Sequence, residues 1–478
     1  GTIMIMANSC LGSAILQLPY RFSKLGLALG SFYFTLVTIF SFWSYRLITK
    51  ICGEYKTYSV RSMLMKTCGK GATLLVDIST VGIFFGGLCG YCIIGSDYIH
   101  SSYMWIMKIK PCQEPLIFDP TECSNYLSCK EDFQFRNQIF IVIMGFGIFL
   151  IESFITNIKV LNTISSFALL IVALTVLFVV IRVIQTLITD QLPYAEVTWL
   201  RPDPIIPTIP DVAHVLIDLP SFFGLYSLQS LIPPYYAEIN VSVDERQSII
   251  KKSTNITMIV VPILYYIMAI SGSLIFNGDN QNKAYQHDNI LNNFSSSDIL
   301  MAIVKIMYTG VIIVSFPVVL FTLRSSICSQ FRIDRKFSKK HSKYFYIIGV
   351  SLSCLATVFA MLVPKLSVII DIFSAIFGCV IHFIMPLLIN VNQHKNLSEI
   401  TTEQSNHMEP LTNNITEQLT GDQTDESNIK TIHKITKGWK TMSYVGGTII
   451  VIYDTVSFIY TLVNLFTKNP TRGICDDK

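Results

Sequence analysis

One apolar stretch of the chain reads Asn8-Ser9-Cys10-Leu11-Gly12-Ser13-Ala14-Ile15-Leu16-Gln17-Leu18-Pro19-Tyr20, and it contains side-chain amides, hydroxyl groups and a glycine. In the hydrocarbon core of a bilayer, every backbone amide or carbonyl without a partner costs several kcal/mol. A weak point in a membrane-spanning helix therefore persists only where protein, water or a ligand satisfies these groups. We expect a polar ligand to bind at this segment.

The composition is typical of a polytopic membrane protein. Hydrophobic residues make up 51% of the 478 residues and charged residues 14%, and the mean hydropathy is +0.50, whereas soluble domains carry about 25% charged residues. A helix needs about 20 apolar residues to cross roughly 30 Å of hydrocarbon, and eleven such windows are present. The predicted spans cover residues 2–20, 27–49, 73–99, 138–156, 158–186, 212–236, 253–276, 299–323, 344–363, 366–391 and 443–466. The sequence shows no period-two alternation of a membrane β-barrel, so the predicted fold class is all-α.

The distribution of lysine and arginine predicts the orientation in the membrane. Basic residues are concentrated at 46–70 and 324–343, whereas two loops on the alternate side are acidic. The acidic loops cover residues 190–211 and 277–298. Because short basic loops stay in the cytosol, we expect a cytosolic N-terminus and an outer or lumenal C-terminus. Arg21 and Lys24 break this pattern in the first outer turn, but the two basic loops outnumber them.

The chain divides into three predicted regions. Spans 1 to 10 are joined by loops of modest length and form one ten-helix core over residues 1–391. Residues 392–442 are rich in polar residues and are predicted to form a disordered cytosolic loop, and residues 443–478 hold the eleventh span and an outer tail. The lysines at the end of the loop flank the membrane as the positive-inside rule requires, with contact to anionic lipid as the alternative. We also expect a cytosolic segment before Gly1.

The predicted outer loops carry two sites of covalent modification. The loop at 100–137 contains Cys112, Cys123 and Cys129. An oxidising compartment allows cross-linking, and we expect one disulfide among these three cysteines. The predicted outer loop at 277–298 contains the sequon that begins at Asn293. On the outer side of the membrane this sequon is an expected N-glycosylation site.

A short amphipathic helix is predicted between spans 2 and 3, within residues 57–70. One helical face there consists of Val60, Met63, Leu64 and Thr67. A helix with one apolar face can lie in the membrane interface. We therefore expect this helix to lie beneath the bilayer.

Span 6 shares the peculiarity of span 1. Its centre reads Leu219-Pro220-Ser221-Phe222-Phe223-Gly224-Leu225-Tyr226-Ser227, which again places Pro, Ser and Gly at mid-membrane depth. Proline removes a backbone donor and glycine relaxes the backbone. Spans 1 to 5 and spans 6 to 10 then form two repeats, and paired interruptions at matching positions indicate a substrate site at the bilayer midplane. The alternative is that Pro and Gly are simply common in membrane helices.

Several segments match a known family in order and spacing. They are residues 8–20, Gly69 to Ser79, Cys89 to Asp97, Ser315-Phe316-Pro317, Leu323-Arg324-Ser325-Ser326, Val363-Pro364, Asp371-Ile372-Phe373, Gly378 and Pro386. Over residues 2–390 the chain resembles the amino acid/auxin permease family, in particular its sodium-coupled neutral amino acid transporters and related lysosomal members. The resemblance implies an eleven-span, all-α transporter with a five-plus-five inverted repeat and broken helices 1 and 6. It also implies amino acid substrates and a plasma, endolysosomal or vacuolar membrane.

The chemistry of two broken helices agrees with an amino acid substrate. The N–H groups at a helix N-terminus favour an α-carboxylate, and carbonyls released at a second break accept hydrogen bonds from an α-ammonium group. We predict that the amides of residues 11–14 hold the carboxylate and the carbonyls of residues 221–224 hold the ammonium, with Gly12 allowing close approach. The three aromatic residues of the second break form or gate the side-chain pocket, or else they simply pack. The predicted substrate-binding residues are Ser9, Leu11, Gly12, Ser13, Ala14, Ser221, Phe222, Phe223, Gly224 and Tyr226.

For the coupling ion, the resemblance implies a sodium site between spans 1 and 8. Its predicted ligands are Asn8 and Ser315, and carbonyls near Ser9 would complete the shell. Ser315 replaces a threonine found in many family members and keeps the oxygen. Sodium is favoured over a proton because spans 1, 6 and 8 lack a deep acidic residue, although ion-independent exchange stays open and no other cofactor is expected. The candidates for a proton site, each with a structural role as the alternative, are Asp371, His382, Asp77 and Asp97.

Other functional classes fit the sequence less well. It contains no His-Glu-x-x-His, no pair of Cys-x-x-Cys motifs, no Gly-x-Ser-x-Gly and no phosphate-binding loop, so it lacks the usual signatures of an enzyme. The formal charge of +4 suits basic inner loops and does not imply nucleic acid binding. A transporter-like amino acid sensor with little flux is the stronger alternative, because the same residues would build it. The sequence does not predict an oligomeric state.

Overall fold

The computed structural model describes residues 2–109, 120–154, 158–189, 222–226, 228–239, 241–276, 288–294, 298–331, 339–392 and 459. Within these ranges all regular secondary structure is helical, which confirms the predicted all-α class. The α-helices are α1 (Thr2–Leu11), α2 (Leu18–Leu25), α3 (Leu27–Tyr55), α4 (Val60–Thr67), α5 (Gly69–Ile106), α6 (Pro120–Val142), α7 (Leu150–Glu152), α8 (Ile158–Thr189), α9 (Ile232–Glu238), α10 (Val243–Phe276), α11 (Ile299–Gln330), α12 (Lys339–Leu362) and α13 (Leu366–Phe373). Short 3₁₀-helices lie at Ser13–Leu16, Gly224–Tyr226 and Ile290–Asn293, and π-helical turns at Ile143–Phe149, Ser374–Gly378 and Val380–Ile384.

Eight described helical segments are long and apolar enough to cross a membrane, so this is a polytopic membrane protein. They lie at Leu27–Tyr55, Gly69–Ile106, Glu131–Glu152, Phe167–Gln185, Asp244–Leu274, Ile299–Cys328, Lys343–Leu362 and Leu366–Asn392. Each falls on one of the eleven predicted spans. The predicted span at 2–20 falls on short, interrupted helices instead, and so does the described part of the span at 212–236, residues 222–226 and 228–236. The predicted loop at 392–442 and the span at 443–466 lie outside the described residues, apart from residues 392 and 459.

The two faces of α8 show why these helices belong in lipid. One face is buried and consists of Ala168, Val172, Val176, Val179 and Val183. The opposite face is between 49% and 64% exposed and consists of Phe167, Leu170, Leu177 and Ile184. A helix that is hydrophobic all round is either a core helix or a membrane span. Because a whole apolar face of α8 is exposed in the protein, we assign that face to the hydrocarbon of the membrane.

Glycines in α5 allow the last described span to pack closely against it. Gly82 lies against Phe377, and Gly86 lies against Phe373. A Cβ atom added at Gly86 would lie 2.5 Å from Cγ of Phe373, too close for any larger side chain to fit unchanged. Small residues permit this kind of close helix contact in membranes. The contact holds Phe373 against the middle of α5.

The short helix predicted between spans 2 and 3 is present as α4. Its start is fixed by a capping box, in which Ser59 Oγ accepts from Ser62 N at 3.1 Å and Ser62 Oγ accepts from Ser59 N at 3.3 Å. The helix packs mainly against α5, where Arg61 also pairs with Asp77 at 2.6 Å. The predicted face is buried, and it consists of Val60, Met63, Leu64 and Thr67.

The segments predicted to lie on the outer side contain a disulfide bond and a hydrogen bond to α5. Cys129, one of the three cysteines expected to supply a disulfide, is disulfide-bonded, and its partner is not among the described cysteine side chains. Asn293, the predicted glycosylation site, ends the 3₁₀-helix Ile290–Asn293. Its neighbour Asn292 donates to Asp97 Oδ2 at 3.1 Å, which ties this short helix to α5.

Candidate functional site

The first predicted break interrupts the helix. α1 ends at Leu11, and Gly12 adopts φ −45° and ψ −132°, which is not a helical conformation. A 3₁₀-helix then covers Ser13–Leu16, and α2 begins at Leu18 with Pro19 in its first turn. Proline suits that position because the first N–H groups of a helix lack partners within it.

Tyrosine hydroxyls satisfy carbonyls that are bared at this break. Tyr265 of α10 donates to the carbonyl of Cys10, and Tyr308 of α11 donates to the carbonyl of Gly12 at 2.9 Å. Both tyrosines are fully buried. Because a buried carbonyl without a donor is costly, these two hydroxyls stabilise the interrupted conformation.

The helix is also interrupted at the second predicted break, as far as the structure describes it. Residues 222–223 are helical, Gly224–Tyr226 form a 3₁₀-helix, and residues 228–231 form turns before α9. The Tyr265 hydroxyl lies 3.0 Å from the carbonyl of Leu225, so it contacts both breaks. With a single hydrogen, it donates to one carbonyl at a time.

The carbonyl of Tyr226, at the end of this second 3₁₀-helix, is held by two side chains. The Tyr45 hydroxyl donates to it at 2.8 Å, and Nε2 of His382 lies 2.7 Å from it. The other ring nitrogen of His382, Nδ1, lies 2.9 Å from the carbonyl of Gly378. A neutral imidazole carries one N–H, whereas an imidazolium carries two. Only the protonated ring could therefore donate to both carbonyls.

Both breaks line one cavity of about 100 Å³. The first break contributes Ser9, Gly12 and Ala14. The second contributes Phe222, Gly224 and Leu225. Further lining comes from α5, α11 and the last described span, through Ile83, Phe84, Gly86, Gly87, Tyr91, Val319, Ile370 and Phe373. A solute in this cavity would contact the backbone of both breaks and a mainly apolar wall.

Three other predicted residues of the breaks are placed differently. Leu11 is fully buried at the end of α1 and does not line the cavity. Ser13 begins the 3₁₀-helix, and because it lies between the lining residues Gly12 and Ala14, its backbone is adjacent to the cavity. Ser221 lies outside the described residues.

The three aromatic residues of the second break do not share one wall. Phe222 lines the cavity. Phe223 packs against Phe383 with ring centroids 4.6 Å apart, and the Tyr226 hydroxyl lies 2.8 Å from Oγ1 of Thr38. Successive residues of a helix point about 100–120° apart, so neighbouring rings at this break face different parts of the protein.

Sequence reasoning missed a polar corner of the cavity. Gln17, Arg21 and Ser374 all line it, and each is at most 3% exposed. Arg21 forms an ion pair with Asp371, one of the predicted candidates for a proton site. The spacing of four residues between Gln17 and Arg21 places both on one helical face, and this spacing is the signal that could have found them.

The two predicted sodium ligands are neighbours in the structure. Asn8 Nδ2 lies 3.5 Å from Ser315 Oγ, although the residues are 307 positions apart, and both side chains are buried. The amide oxygen of Asn8 is buried and has no hydrogen-bond partner among the described residues. Rotation of the amide by half a turn would direct this oxygen toward Ser315. The pair can thus offer two neutral oxygen ligands at one place.

The acidic candidates for a proton site all have partners. Asp97 accepts from Asn137 at 3.2 Å and from Asn292 at 3.1 Å. Asp77 and Asp371 each form an ion pair with an arginine. These contacts join separate helices, which is the structural role given as the alternative for each residue.

The fold defines the class of the protein as a polytopic membrane protein, with a cavity between two interrupted helices. Comparison with known proteins then gives the family. The family model described as transmembrane amino acid transporter protein matches residues 1–409. The chain therefore belongs to the transmembrane amino acid transporter family, which confirms the predicted resemblance and makes the protein a member of a transporter family and not an enzyme.

Individual relatives are distant. The chain is 24% identical over 336 residues to amino acid transporter AVT6E of Arabidopsis thaliana, covering 68% of this chain and 62% of the relative. It is 23% identical over 403 residues to sodium-coupled neutral amino acid symporter 2 of Danio rerio, covering 80% and 73%. It is 24% identical over 399 residues to vacuolar amino acid transporter 2 of Saccharomyces cerevisiae, covering 81% and 75%. The chain thus spans less than two thirds of the Arabidopsis relative.

Proposed function

We propose that this protein is a secondary active transporter that moves neutral amino acids across a membrane by alternating access. The single observation that carries the proposal is the cavity lined by both interrupted helices, because a zwitterion has one charge for each break. In the proposed architecture, spans 1 to 5 and 6 to 10 form an inverted five-plus-five repeat and an eleventh span follows. The family match supports amino acids as the substrate class.

The proposed binding mode uses backbone groups at each break. The N–H groups at Gly12, Ser13 and Ala14 hold the α-carboxylate, as the start of a helical segment favours negative charge. The carbonyls of residues 221–224 hold the α-ammonium group. A neutral substrate side chain is favoured because Arg21, the cationic residue that lines the cavity, is already paired with an aspartate.

Sodium is the proposed coupling ion, bound by Asn8 and Ser315. Two observations support this assignment. The buried amide oxygen of Asn8 has no hydrogen-bond partner in the described part of the chain, and the Asn8 side chain lies beside Ser315. Broken helices in transporters present such groups to sodium. The Danio rerio relative is named as sodium-coupled, which is consistent with this assignment.

A proton is the second candidate for the coupling ion, and one observation favours it. Both ring nitrogens of His382 lie within hydrogen-bonding distance of carbonyl oxygens, one of them at the second break. Protonation would let the ring donate to both carbonyls and would link proton binding to the conformation of that break.

The proposed location is the plasma membrane or an endolysosomal or vacuolar membrane. The name of the Saccharomyces cerevisiae relative places that protein in the vacuole. The loops at 46–70 and 324–343 are proposed to face the cytosol, since they carry the concentrated basic residues. The order of the spans then places the N-terminus on the same side.

Purified protein in liposomes tests the function. Labelled amino acids should accumulate when a sodium gradient is imposed across the vesicle membrane. Accumulation driven by a pH gradient alone would replace sodium with a proton. Uptake that requires only unlabelled amino acid inside the vesicles would indicate ion-independent exchange. Binding of an amino acid without accumulation under either gradient and without such exchange would contradict transport and support a sensor.

The sodium site has its own test. We expect Asn8→Ala and Ser315→Ala to raise the sodium concentration for half-maximal uptake about tenfold, the effect of losing roughly 1.4 kcal/mol of ligand interaction. Ser353→Ala is the matched control, because it removes another buried serine hydroxyl, which lies on α12 and has no partner among the described residues. An unchanged sodium requirement in both site variants would reject the assignment.

A further inference from the structure

The side chain of Gln17 is a polar group at the cavity that the binding of a zwitterion does not use. It is 3% exposed, and its Nε2 has no hydrogen-bond partner among the described residues. Its backbone is held at the junction of two helices, because its N–H donates to Ala14 O at 3.3 Å and its carbonyl accepts from Arg21 N at 3.1 Å. A buried amide with an unpaired donor is unfavourable, and this one lines a cavity that a ligand can enter.

The surroundings of Gln17 select the chemistry of that ligand. Arg21 lies one turn further along α2 and is paired with Asp371, so the charges of this corner cancel. Ser374 completes the corner and is 2% exposed. The remainder of the nearby lining is apolar and includes Ile370. A ligand group that is neutral and forms hydrogen bonds fits this corner, whereas a charged group would be buried there without a partner of its own.

We propose that Gln17 determines substrate specificity by hydrogen bonding to the side chain of the bound amino acid. The inference rests on the proposed function, in which the α-carboxylate and α-ammonium groups occupy the two breaks of the same cavity. The Gln17 amide both donates and accepts, so the best complement is a carboxamide or a hydroxyl group. An aliphatic side chain leaves the amide unpaired, and a carboxylate adds an uncompensated charge beside Asp371.

Three amino acids of nearly the same shape test the proposal: asparagine, leucine and aspartate. Their affinities for the purified full chain are measured by equilibrium binding in detergent, which does not depend on transport. The wild-type protein should bind asparagine most tightly. In Gln17→Leu, the ratio of asparagine affinity to leucine affinity should fall about fivefold or more, since one net hydrogen bond is lost.

Gln229→Leu is the matched control. Gln229 is fully buried, both of its amide atoms lack partners in the described ranges, and it does not line the cavity. This variant should leave the affinity ratio unchanged. Gln17→Met is a second apolar variant of similar length. It should lower the affinity ratio by the factor expected for Gln17→Leu, and it takes the place of that variant if Gln17→Leu does not fold.

The outcomes separate this inference from the function beneath it. An unchanged ratio in the Gln17 variants, or an equal shift in Gln229→Leu, would overturn the role of Gln17 while amino acid binding stands. Preference of the wild-type protein for leucine or aspartate would overturn the substrate class proposed for this corner. If the wild-type protein bound none of the three at millimolar concentration, the proposed function and this inference would both fail.

Discussion

The two interrupted helices differ in what they offer the cavity. The first lines the cavity with the Gln17 side chain, whose Nε2 has no hydrogen-bond partner among the described residues. Asn8 of the same segment has an amide oxygen that also lacks such a partner, but it does not line the cavity. The first break also carries Arg21, whose ion pair reaches across to the last described span. The second lines the cavity through Phe222 and its neighbours, which supply backbone and apolar surface. In the proposed binding mode both breaks bind the substrate through backbone groups; the first break adds polar side chains, whereas the second adds an apolar wall.

Tyr265 joins the two breaks, since its hydroxyl contacts the carbonyls of Cys10 and Leu225. A change in either break therefore affects a hydrogen bond that the other shares. Matching Pro and Gly patterns predict where helices break, but they do not predict how recognition is divided between the breaks.

Blocking the first break should have the largest effect. A Cβ atom at Gly12 would lie 2.6 Å from the Tyr91 hydroxyl, and valine adds two more methyl groups. We expect Gly12→Val to abolish accumulation of labelled amino acid in liposomes while its amount in the membrane stays normal. Gly310→Val is the control, because a Cβ there meets nothing within 4 Å. Normal uptake by Gly12→Val would remove the first break from the site.

Breaking the ion pair at the first break should have the next largest effect. Arg21 is 3% exposed and Asp371 22%, so Arg21→Ala leaves a largely buried carboxylate without that counter-charge and should cost roughly 3 kcal/mol of stability. The unfolding midpoint in detergent measures this loss, and the double variant Arg21→Ala/Asp371→Ala should recover part of it. Lys50→Ala breaks an exposed pair with Glu54 and should cost about 0.5 kcal/mol or less. Equal losses of stability in Arg21→Ala and Lys50→Ala would contradict a larger contribution of the buried ion pair.

Local pattern was enough to predict much of this arrangement. Eight spans and the buried face of α4 follow from apolar periodicity, and an interruption within residues 8–20 follows from the polar groups and the glycine of that stretch. The pairing of Arg21 was missed because its partner Asp371 lies 350 positions away in the chain. The distribution of lysine and arginine assigned Arg21 only to a predicted outer turn. Phe223 packs against Phe383, which is the alternative given for the aromatic residues of this break.

Removing the shared hydroxyl should have a smaller effect. Tyr265→Phe leaves the carbonyls of Cys10 and Leu225 without this donor and should cost about 1–3 kcal/mol. Tyr45→Phe removes one of the two side chains that hold the carbonyl of Tyr226, and this carbonyl keeps its contact with His382. That variant should cost less than about 1 kcal/mol. Thermal unfolding of both variants provides the comparison, and a greater loss in Tyr45→Phe would reverse the assignment of Tyr265 as the link.

The decisive experiment is an experimental structure of the purified protein with a bound neutral amino acid. We expect one amino acid between the two breaks, with its carboxylate against the backbone of residues 12–14 and its ammonium group against residues 221–224. Continuous α-helical winding through Gly12 and Gly224, or an amino acid bound away from both, would contradict this expectation.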